Sequence, residues 1–389
     1  MASPSVVGIG GKYMKLAIVR QKYTPFGGAE RFVARALDAL RAKCVDVEII
    51  ARQWEGDVTG LTCNPFYLGR TWRDRSFAHC VQQVIASGRY DIVQSHERIP
   101  GCHIYRAGDG VHATWLELAK KPLTRLSPWH RYTLAAEAAM FHHPNLQAVI
   151  CNSRMVRDDI ARRFPQAAEK LEVIYSGVDP AQFHPGLREQ HRAQVRTNVG
   201  AGETAPVILF VGSGFARKGV ATLVEALARM ATRNAEVWIV GQDKDAARYR
   251  RLAQRLGVDS RIRFFGAQTD VRPFYGAADI FCLPTLYDPF PNAALEAFAC
   301  GLPVITATSS GAAELVQPGV NGFVCPPADP MALAEQLDAL CAPQSAALMR
   351  HAACATITTL TPLVMADQLT ALYGRLLESP VLRTPHSPS

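Results

Sequence analysis

Two acids eight residues apart, Asp288 and Glu296, are the first residues in this chain whose placement suggests chemistry. An apolar run, Ile280 to Leu283, reads as a strand. It leads into a loop holding Pro284, Pro289 and Pro291, and a helix is expected from Asn292 to a stop at Gly301. Asn is a common helix N-cap and Gly a common terminator. At such a start the backbone N–H groups of Ala293, Ala294 and Leu295 are expected to have no partner within the helix. Together with the helix dipole they favour an anion such as a phosphate. A carboxylate beside a phosphate is repelled unless it holds donors, and sugar hydroxyls are donors. The stretch therefore reads as a clamp for a nucleotide sugar, with phosphates at the helix start, a ribose diol on Glu296 and hexose hydroxyls on Asp288. The plainer reading is an ordinary strand, loop and helix that happens to carry two acids.

A second constellation follows the apolar strand Val207 to Val211. It runs Gly212-Ser-Gly-Phe-Ala-Arg217-Lys218-Gly219 into a helix expected from Val220 to Ala231. It is not a Walker A loop, because no Ser or Thr follows the Lys, and it lacks the Gly-x-Gly-x-x-Gly spacing of a dinucleotide fingerprint. Its glycines admit a ligand, and Arg217 with Lys218 can meet a diphosphate from the side. The alternative is a solvated basic pair at a helix start. Asp243-Lys-Asp245 opens a charged helix and reads as a chance pair of acids, so no metal site is expected. The loop 266–270, with Gln268, is expected to face a nucleotide base.

In the first half, the loops at strand ends carry the remaining candidates. Gly27 and Gly28 open a helix expected over 30–42, where backbone can approach an anion closely; a tight turn is the alternative. His96 follows a short strand and either lines an acceptor pocket or sits in an unremarkable loop. Arg106-Ala-Gly-Asp109-Gly-Val-His112 puts Asp109 between glycines, as a projecting carboxylate or as a turn-forming residue. His112 competes with it, or is simply a histidine at a helix start. Asn152-Ser153 reads as a helix cap. Trp115 to Tyr132 interleaves aromatic, aliphatic and basic residues. Such a segment suits the headgroup region of an anionic bilayer, or it is a helical pair with a basic outer face.

These loops need strands to position them, and the chain supplies strands and helices in alternation, the pattern of doubly wound parallel sheets. At 389 residues, two domains are expected. The boundaries read as a disordered extension over 1–13, an acceptor-binding domain over 14–180 and a nucleotide-sugar-binding domain over 181–356. A cross-over helix over 357–377 and a disordered tail over 378–389 follow. A hairpin is expected at 319–323. No apolar run is long enough to span a bilayer, and the first residues lack the basic and apolar regions of a secretory signal. The ten cysteines form no C-x-x-C pair. They read as small hydrophobes in a reducing cytoplasm. Residues 1–180 hold 24 Lys and Arg against 17 Asp and Glu, so most of the net charge of +8 lies in the first half. That suggests an anionic partner there. No nucleic-acid-binding module is recognisable.

The acid-X7-acid spacing of Asp288 and Glu296, the run Leu295-Glu-Ala-Phe-Ala-Cys-Gly-Leu-Pro-Val304 and the 212–219 loop are similar to those of glycosyltransferase family 4. The chain resembles that family from Lys15 to about Leu377. Asp288 and Pro291 depart from the Glu and Gly usual at these positions. The resemblance implies the GT-B architecture: two Rossmann-like domains facing a cleft, with the last helix crossing back to the first domain. It implies that Gly27 and Gly28 touch the donor diphosphate, that Arg217 and Lys218 stabilise the departing nucleoside diphosphate, and that Asp109 lies near the acceptor hydroxyl. The implied activity is metal-independent, retaining transfer of a hexose from a UDP-sugar. Glucose is the first candidate, and a lipopolysaccharide-core or related cell-envelope glycan is the acceptor. Such an enzyme would sit at the cytoplasmic face of the inner membrane, touching it through its basic domain. Transfer of mannose or another hexose to a lipid-linked or exopolysaccharide intermediate, and non-catalytic binding of a nucleotide sugar or glycolipid, are the alternatives.

Overall fold

The computed structural model describes residues 14–23, 45–54, 60–118, 127–342 and 344–378. The expected extension over 1–13, the glycines Gly27 and Gly28, the helix over 30–42 and the tail after Glu378 lie outside the described residues. The chain divides into two compact units, one of the residues up to Gly177 and from Pro362 onward, the other from Val178 to Thr361.

Unit 1 holds β1 (Lys15–Val19), β2 (Lys22–Tyr23), β3 (Asp46–Ala51), β4 (Gln53–Trp54), β5 (Gly60–Thr62), α1 (Gly69–Ala86), β6 (Ile92–Ser95), β7 (Ile104–Ala107), α2 (His112–Leu118), α3 (Pro128–His142), β8 (Ala148–Cys151), α4 (Arg154–Arg163) and β9 (Leu171–Val173). Seven strands form one sheet in the order β5-β3-β1-β6-β7-β8-β9, and every pairing in it is parallel. β2 and β4 pair separately. The central strands are buried throughout, as strands covered by helices on both faces must be.

Unit 2 holds α5 (Leu187–Val199), β10 (Val207–Val211), α6 (Val220–Arg229), β11 (Glu236–Val240), α7 (Ala246–Arg255), β12 (Ile262–Gly266), α8 (Arg272–Ala277), β13 (Ile280–Leu283), α9 (Asn292–Ala299), β14 (Val304–Ala307), β15 (Gly322–Cys325), α10 (Pro330–Cys341) and α11 (Ser345–Thr356). Its six-stranded sheet has the order β12-β11-β10-β13-β14-β15, again parallel throughout. The chain then returns to unit 1 as α12 (Pro362–Glu378). Met365, Leu369, Leu372 and Tyr373 of α12 pack into the core that holds Leu16, Ile18, Ile104 and Ile150. These are two Rossmann-like parallel-sheet domains with a returning C-terminal helix.

Three local expectations are corrected. Residues 319–323 do not form a hairpin, because Gly322 begins β15, which runs parallel to β14. Glu378 ends α12 rather than opening a tail. The cysteines are not all free: Cys63 and Cys80 form a disulfide across a sequence separation of 17.

Candidate active site

In unit 2 the strand order reverses between β10 and β13. From β10 the chain adds β11 and β12 on one side, then crosses back to add β13, β14 and β15 on the other. Ligands of open parallel sheets sit outside the carboxyl ends of the strands at such a reversal. The two loops that leave there are 212–219 and 284–291, which carry the predicted donor residues.

The loops are latched to each other through backbone. The Arg217 carbonyl accepts from the Leu286 N–H at 2.8 Å and from Thr285 Oγ1 at 3.0 Å. Gly219 precedes α6 with φ +77°, and a Cβ there would lie 1.9 Å from the Pro284 carbonyl oxygen. Only glycine serves at that position. The approach brings the basic pair onto the first acid. Lys218 Nζ lies 2.9 Å from Asp288 Oδ2, and Arg217 Nη1 lies 3.4 Å from the same oxygen while donating to the Tyr287 carbonyl at 2.9 Å. Asp288 is buried. Burial pushes its carboxyl up, but Lys218 and then Arg217 outweigh burial and hold it below the ordinary carboxylate value. Its backbone is pinned to the next loop, the N–H to the Ser309 carbonyl at 3.2 Å and the carbonyl to the Gly311 N–H at 2.9 Å.

The helix start differs from the expectation. Pro291, not Asn292, occupies the N-cap position, no side chain caps α9, and Asn292 is its first residue. The Ala294 N–H already donates to the Pro291 carbonyl at 3.0 Å, so of the expected run of donors Ala294 is used locally. Glu296 is buried. The Tyr275 hydroxyl lies 3.0 Å from its Oε2 and 3.1 Å from the Ala293 carbonyl oxygen, and its single proton serves one of them. Tyr275, brought in by α8, had no signal in the local sequence. Gln268 is exposed, and its amide donates to the Phe265 carbonyl at 2.8 Å. Asp243 is committed to backbone, accepting from the N–H groups of Phe215 and Asp245, both at 2.8 Å. It braces the 212–219 loop. Among the described residues no group of three or more His, Cys, Asp or Glu is placed to hold a metal ion.

In unit 1 the strand order reverses between β1 and β6. Gln21, after β1, donates its N–H to Glu97 Oε1 at 3.0 Å, next to His96. His96 is buried, and burial followed by Arg106 and Arg20 holds its ring well below the usual histidine value. Its Nε2 lies 3.1 Å from the Gln94 amide nitrogen, and the Gln94 amide oxygen accepts from the Tyr373 hydroxyl of α12 at 2.7 Å. Asp109 projects, exposed, from a loop whose backbone is held on both sides. Arg98 Nη2 donates to the Gly110 carbonyl at 2.9 Å, and Asn152 Nδ2 to the Gly108 carbonyl at 3.2 Å. Ser153, not Asn152, caps α4, accepting from the Val156 N–H.

His112 is internal rather than projecting. Its N–H donates to Glu137 Oε1 at 3.0 Å, its Nε2 lies 3.0 Å from His130 Nδ1, and its ring stacks on Trp115 and His130. Burial first, then Arg98, lowers it to about 4. Glu137, itself buried, also takes Arg98 Nε at 2.8 Å. Glu137 and Arg98 therefore hold the Asp109 loop in place. Arg98 sat in a flagged loop, but Glu137 arrives from the middle of α3 and carried no local signal.

Residues 26–182 match the family described as Glycosyltransferase Family 4, and residues 205–342 match the one described as Glycosyl transferases group 1. The chain is 29% identical over 322 residues to the lipopolysaccharide glucosyltransferase WaaG of Escherichia coli K12, covering 80% of this chain and 85% of that protein. It is 35% identical over 141 residues to the lipopolysaccharide core biosynthesis glycosyltransferase LpsE of Rhizobium meliloti, 36% of this chain and 41% of that one. A crystal structure of WaaG superimposes with TM-score 0.80 at 26% identity, covering 92% of this chain and 99% of the other. Anabaena HepE, crystallised with UDP and glucose, shares the fold at TM-score 0.72 and 22% identity, over 93% of this chain and 100% of that one. The chain is thus a glycosyltransferase of the GT-B fold, a family 4 domain followed by a group 1 domain, related to the lipopolysaccharide core enzymes WaaG and LpsE.

Proposed function

We propose that this glycosyltransferase moves a hexose, glucose first among the candidates, from a UDP-sugar to a lipopolysaccharide-core or related cell-envelope glycan, with retention and without a metal ion. The observation that carries the reading is the convergence of Lys218 and Arg217 on Asp288 at the strand-order reversal, beside a helix start that no side chain caps. As the glycosidic bond breaks, charge grows on the diphosphate, and preorganised cations are the means of stabilising it. Lys218 and Arg217 supply two positive charges there, so no metal is called for. Asp288 and Glu296 hold hydroxyls of the hexose and ribose. They are not a flanking pair of the hydrolase kind, where one carboxylate attacks the anomeric carbon. Attack from the front face, with the leaving phosphate taking up the acceptor proton, agrees better with that assignment. Asp109, the exposed carboxylate, orients the acceptor hydroxyl. His112 is the weaker candidate because its ring is stacked and bonded to His130. The lipopolysaccharide activities of WaaG and LpsE support the acceptor class, and the UDP and glucose bound to HepE agree with the donor class. The enzyme then works at the cytoplasmic face of the inner membrane, its basic half toward anionic lipid.

The test is a donor screen in EDTA with UDP-glucose, UDP-galactose, UDP-N-acetylglucosamine, GDP-mannose and ADP-heptose, read by thermal shift and by nucleotide release. One UDP-sugar should stabilise the protein and turn over, and NMR of the product should show the donor's anomeric configuration. A folded sample that responds to none of the five refutes the reading. An inverted product refutes the front-face mechanism alone.

A further inference from the structure

The start of α1 and the loop before it present apolar surface that the fold leaves uncovered. Phe66, Leu68 and Trp72 are 78%, 76% and 48% exposed. The Phe66 and Trp72 rings pack edge to face with centroids 5.6 Å apart, so they form one platform. Single exposed apolar residues are ordinary, whereas a cluster of this kind marks a contact surface.

The same turns are basic. Arg70 and Arg75 are exposed, and Arg73 is half-buried. α1 has no acid in its first turn, and Leu68 at the N-cap position provides no side-chain cap. A helix start is already positive, so Arg70 adds to that charge. The one acid of α1, Asp74, is committed to neighbours. It accepts from Gln21 Nε2 at 2.9 Å, Arg73 Nε at 2.8 Å and Trp129 Nε1 at 2.7 Å.

The platform is also held in place. Arg52 donates to the Pro65 carbonyl at 3.0 Å and to Asn64 Oδ1 at 3.2 Å, and its guanidinium lies 4.8 Å from the Tyr67 ring centre. The Cys63–Cys80 disulfide ties the end of β5 to the body of α1. In the described part of the basic aromatic segment, Trp129 binds Asp74 and lies under Arg70 at 3.9 Å, and His130 is buried.

We propose that residues 66–75 are the surface by which unit 1 docks on an anionic lipid bilayer. Phe66, Leu68 and Trp72 enter the boundary between headgroups and acyl chains, and Arg70 and Arg75 meet lipid phosphates. The inference rests on the reading of a glycolipid acceptor at the inner membrane. A bilayer of acidic lipid supplies both partners at once, an apolar layer for the rings and negative charge beside it. A nucleic acid would satisfy the arginines but not the apolar side chains.

The full chain is sedimented with phosphatidylethanolamine/phosphatidylglycerol vesicles and, separately, with phosphatidylcholine vesicles. Wild type should bind the anionic vesicles and lose affinity as salt rises. The triple variant Phe66→Ser/Leu68→Ser/Trp72→Ser should bind roughly tenfold or more weakly. Arg70→Glu/Arg75→Glu should remove most of the salt-sensitive part. Since these side chains are exposed, thermal midpoints and donor-induced shifts should match wild type. Equal binding by the triple variant, equal binding of wild type to both vesicle types, or no vesicle binding by wild type each overturns the proposal. So does loss of turnover by the triple variant on a delipidated, water-soluble acceptor, which would make the platform a glycan site. If wild type shows no donor-induced shift but the triple variant still loses vesicle binding, docking stands and the transferase specificity falls.

Discussion

Lys218→Met separates the ion pairing that the geometry gives this side chain from the leaving-group role proposed for it. The ammonium lies 2.9 Å from a buried carboxylate. At that distance, with an effective dielectric near 20, the attraction is roughly 6 kcal/mol. Desolvation of both groups takes back much of it, and breaking a buried pair costs about 3–5 kcal/mol when the survivor is left alone. Asp288 is not left alone, because Arg217 remains 3.4 Å away. The expected loss is therefore below that range, about 2–3 kcal/mol at pH 7. The pH dependence follows from the lowered carboxyl of Asp288. A group whose pKa is depressed on folding contributes fully above its unfolded value, about 4 for Asp, and loses that contribution as the pH falls through the folded value. The gap between wild type and variant should thus be widest near neutrality and shrink as the pH falls below about 4.

Urea unfolding of both proteins at pH 7 and at acid pH reads this stability. Turnover reads the other role. Removing a cation from the leaving group should lower kcat/KM by roughly a hundredfold to a thousandfold, more than a stability loss can explain in a sample that is still folded. Asp288→Asn provides the control, since it keeps the ammonium and removes the charge it now faces. A Lys218→Met enzyme with kcat/KM within a few-fold of wild type would end the leaving-group role. An unchanged urea midpoint would end the claim that the pair is energetically important.

Other outcomes are as definite. Gly219→Ala should weaken UDP binding by about tenfold or more, read by calorimetry, because its Cβ would collide with the Pro284 carbonyl and spread the two loops. Glu137→Gln should cost about 3–5 kcal/mol in urea unfolding, since it leaves Arg98 without its buried partner; an unchanged midpoint would refute that role. His112, lowered to about 4 by burial first and then Arg98, must take up a proton on unfolding below about pH 6.5. Stability should accordingly be full above that pH and fall as the pH drops toward 4, and His112→Phe should flatten the slope. Reducing the Cys63–Cys80 disulfide should lower stability by about 3 kcal/mol for a loop of this length, visible as a shifted thermal midpoint in dithiothreitol.

What the sequence revealed, and what it hid, follows from how local each signal is. Val207–Val211, Ile280–Leu283 and Ala148–Cys151 are continuous apolar runs because both faces of those strands are covered, and such runs are visible without a fold. The start of α1 was hidden, since Arg70, Trp72 and Arg75 lie on an exposed surface and the stretch shows no helical period of apolar residues. α10 went unremarked although its signal was present: Asp329 caps the Met331 and Ala332 N–H groups ahead of Pro330, a readable start. Arg217, Lys218 and Asp288 were legible as candidates because each lies in a loop directly after a strand, and Glu296 because it falls in the helix that the second of these loops opens. Tyr275 and Glu137 were not, because helices carry them to their partners across packing that no spacing encodes. The Cys63–Cys80 pair was missed for the same reason.

The glycines of the 212–219 loop show where a sequence motif and its physical cause part company. Read as sequence, they are clearance for a ligand. In the fold much of that clearance is used by the protein itself. A Cβ on Gly212 would lie 2.7 Å from Lys218 Cδ, and one on Gly241 would lie 2.0 Å from the Gly212 carbonyl oxygen. Gly212 thus makes room for the lysine stem, and Gly219 lets the two loops close on each other. The result is a lysine placed before any ligand arrives, with two cations facing one carboxylate. That imbalance is what an incoming diphosphate would correct. A substitution at Gly212 should therefore act through Lys218, and its effect on turnover should largely vanish in a Lys218→Met background. Two independent losses that simply multiply would show instead that the glycine serves the ligand directly.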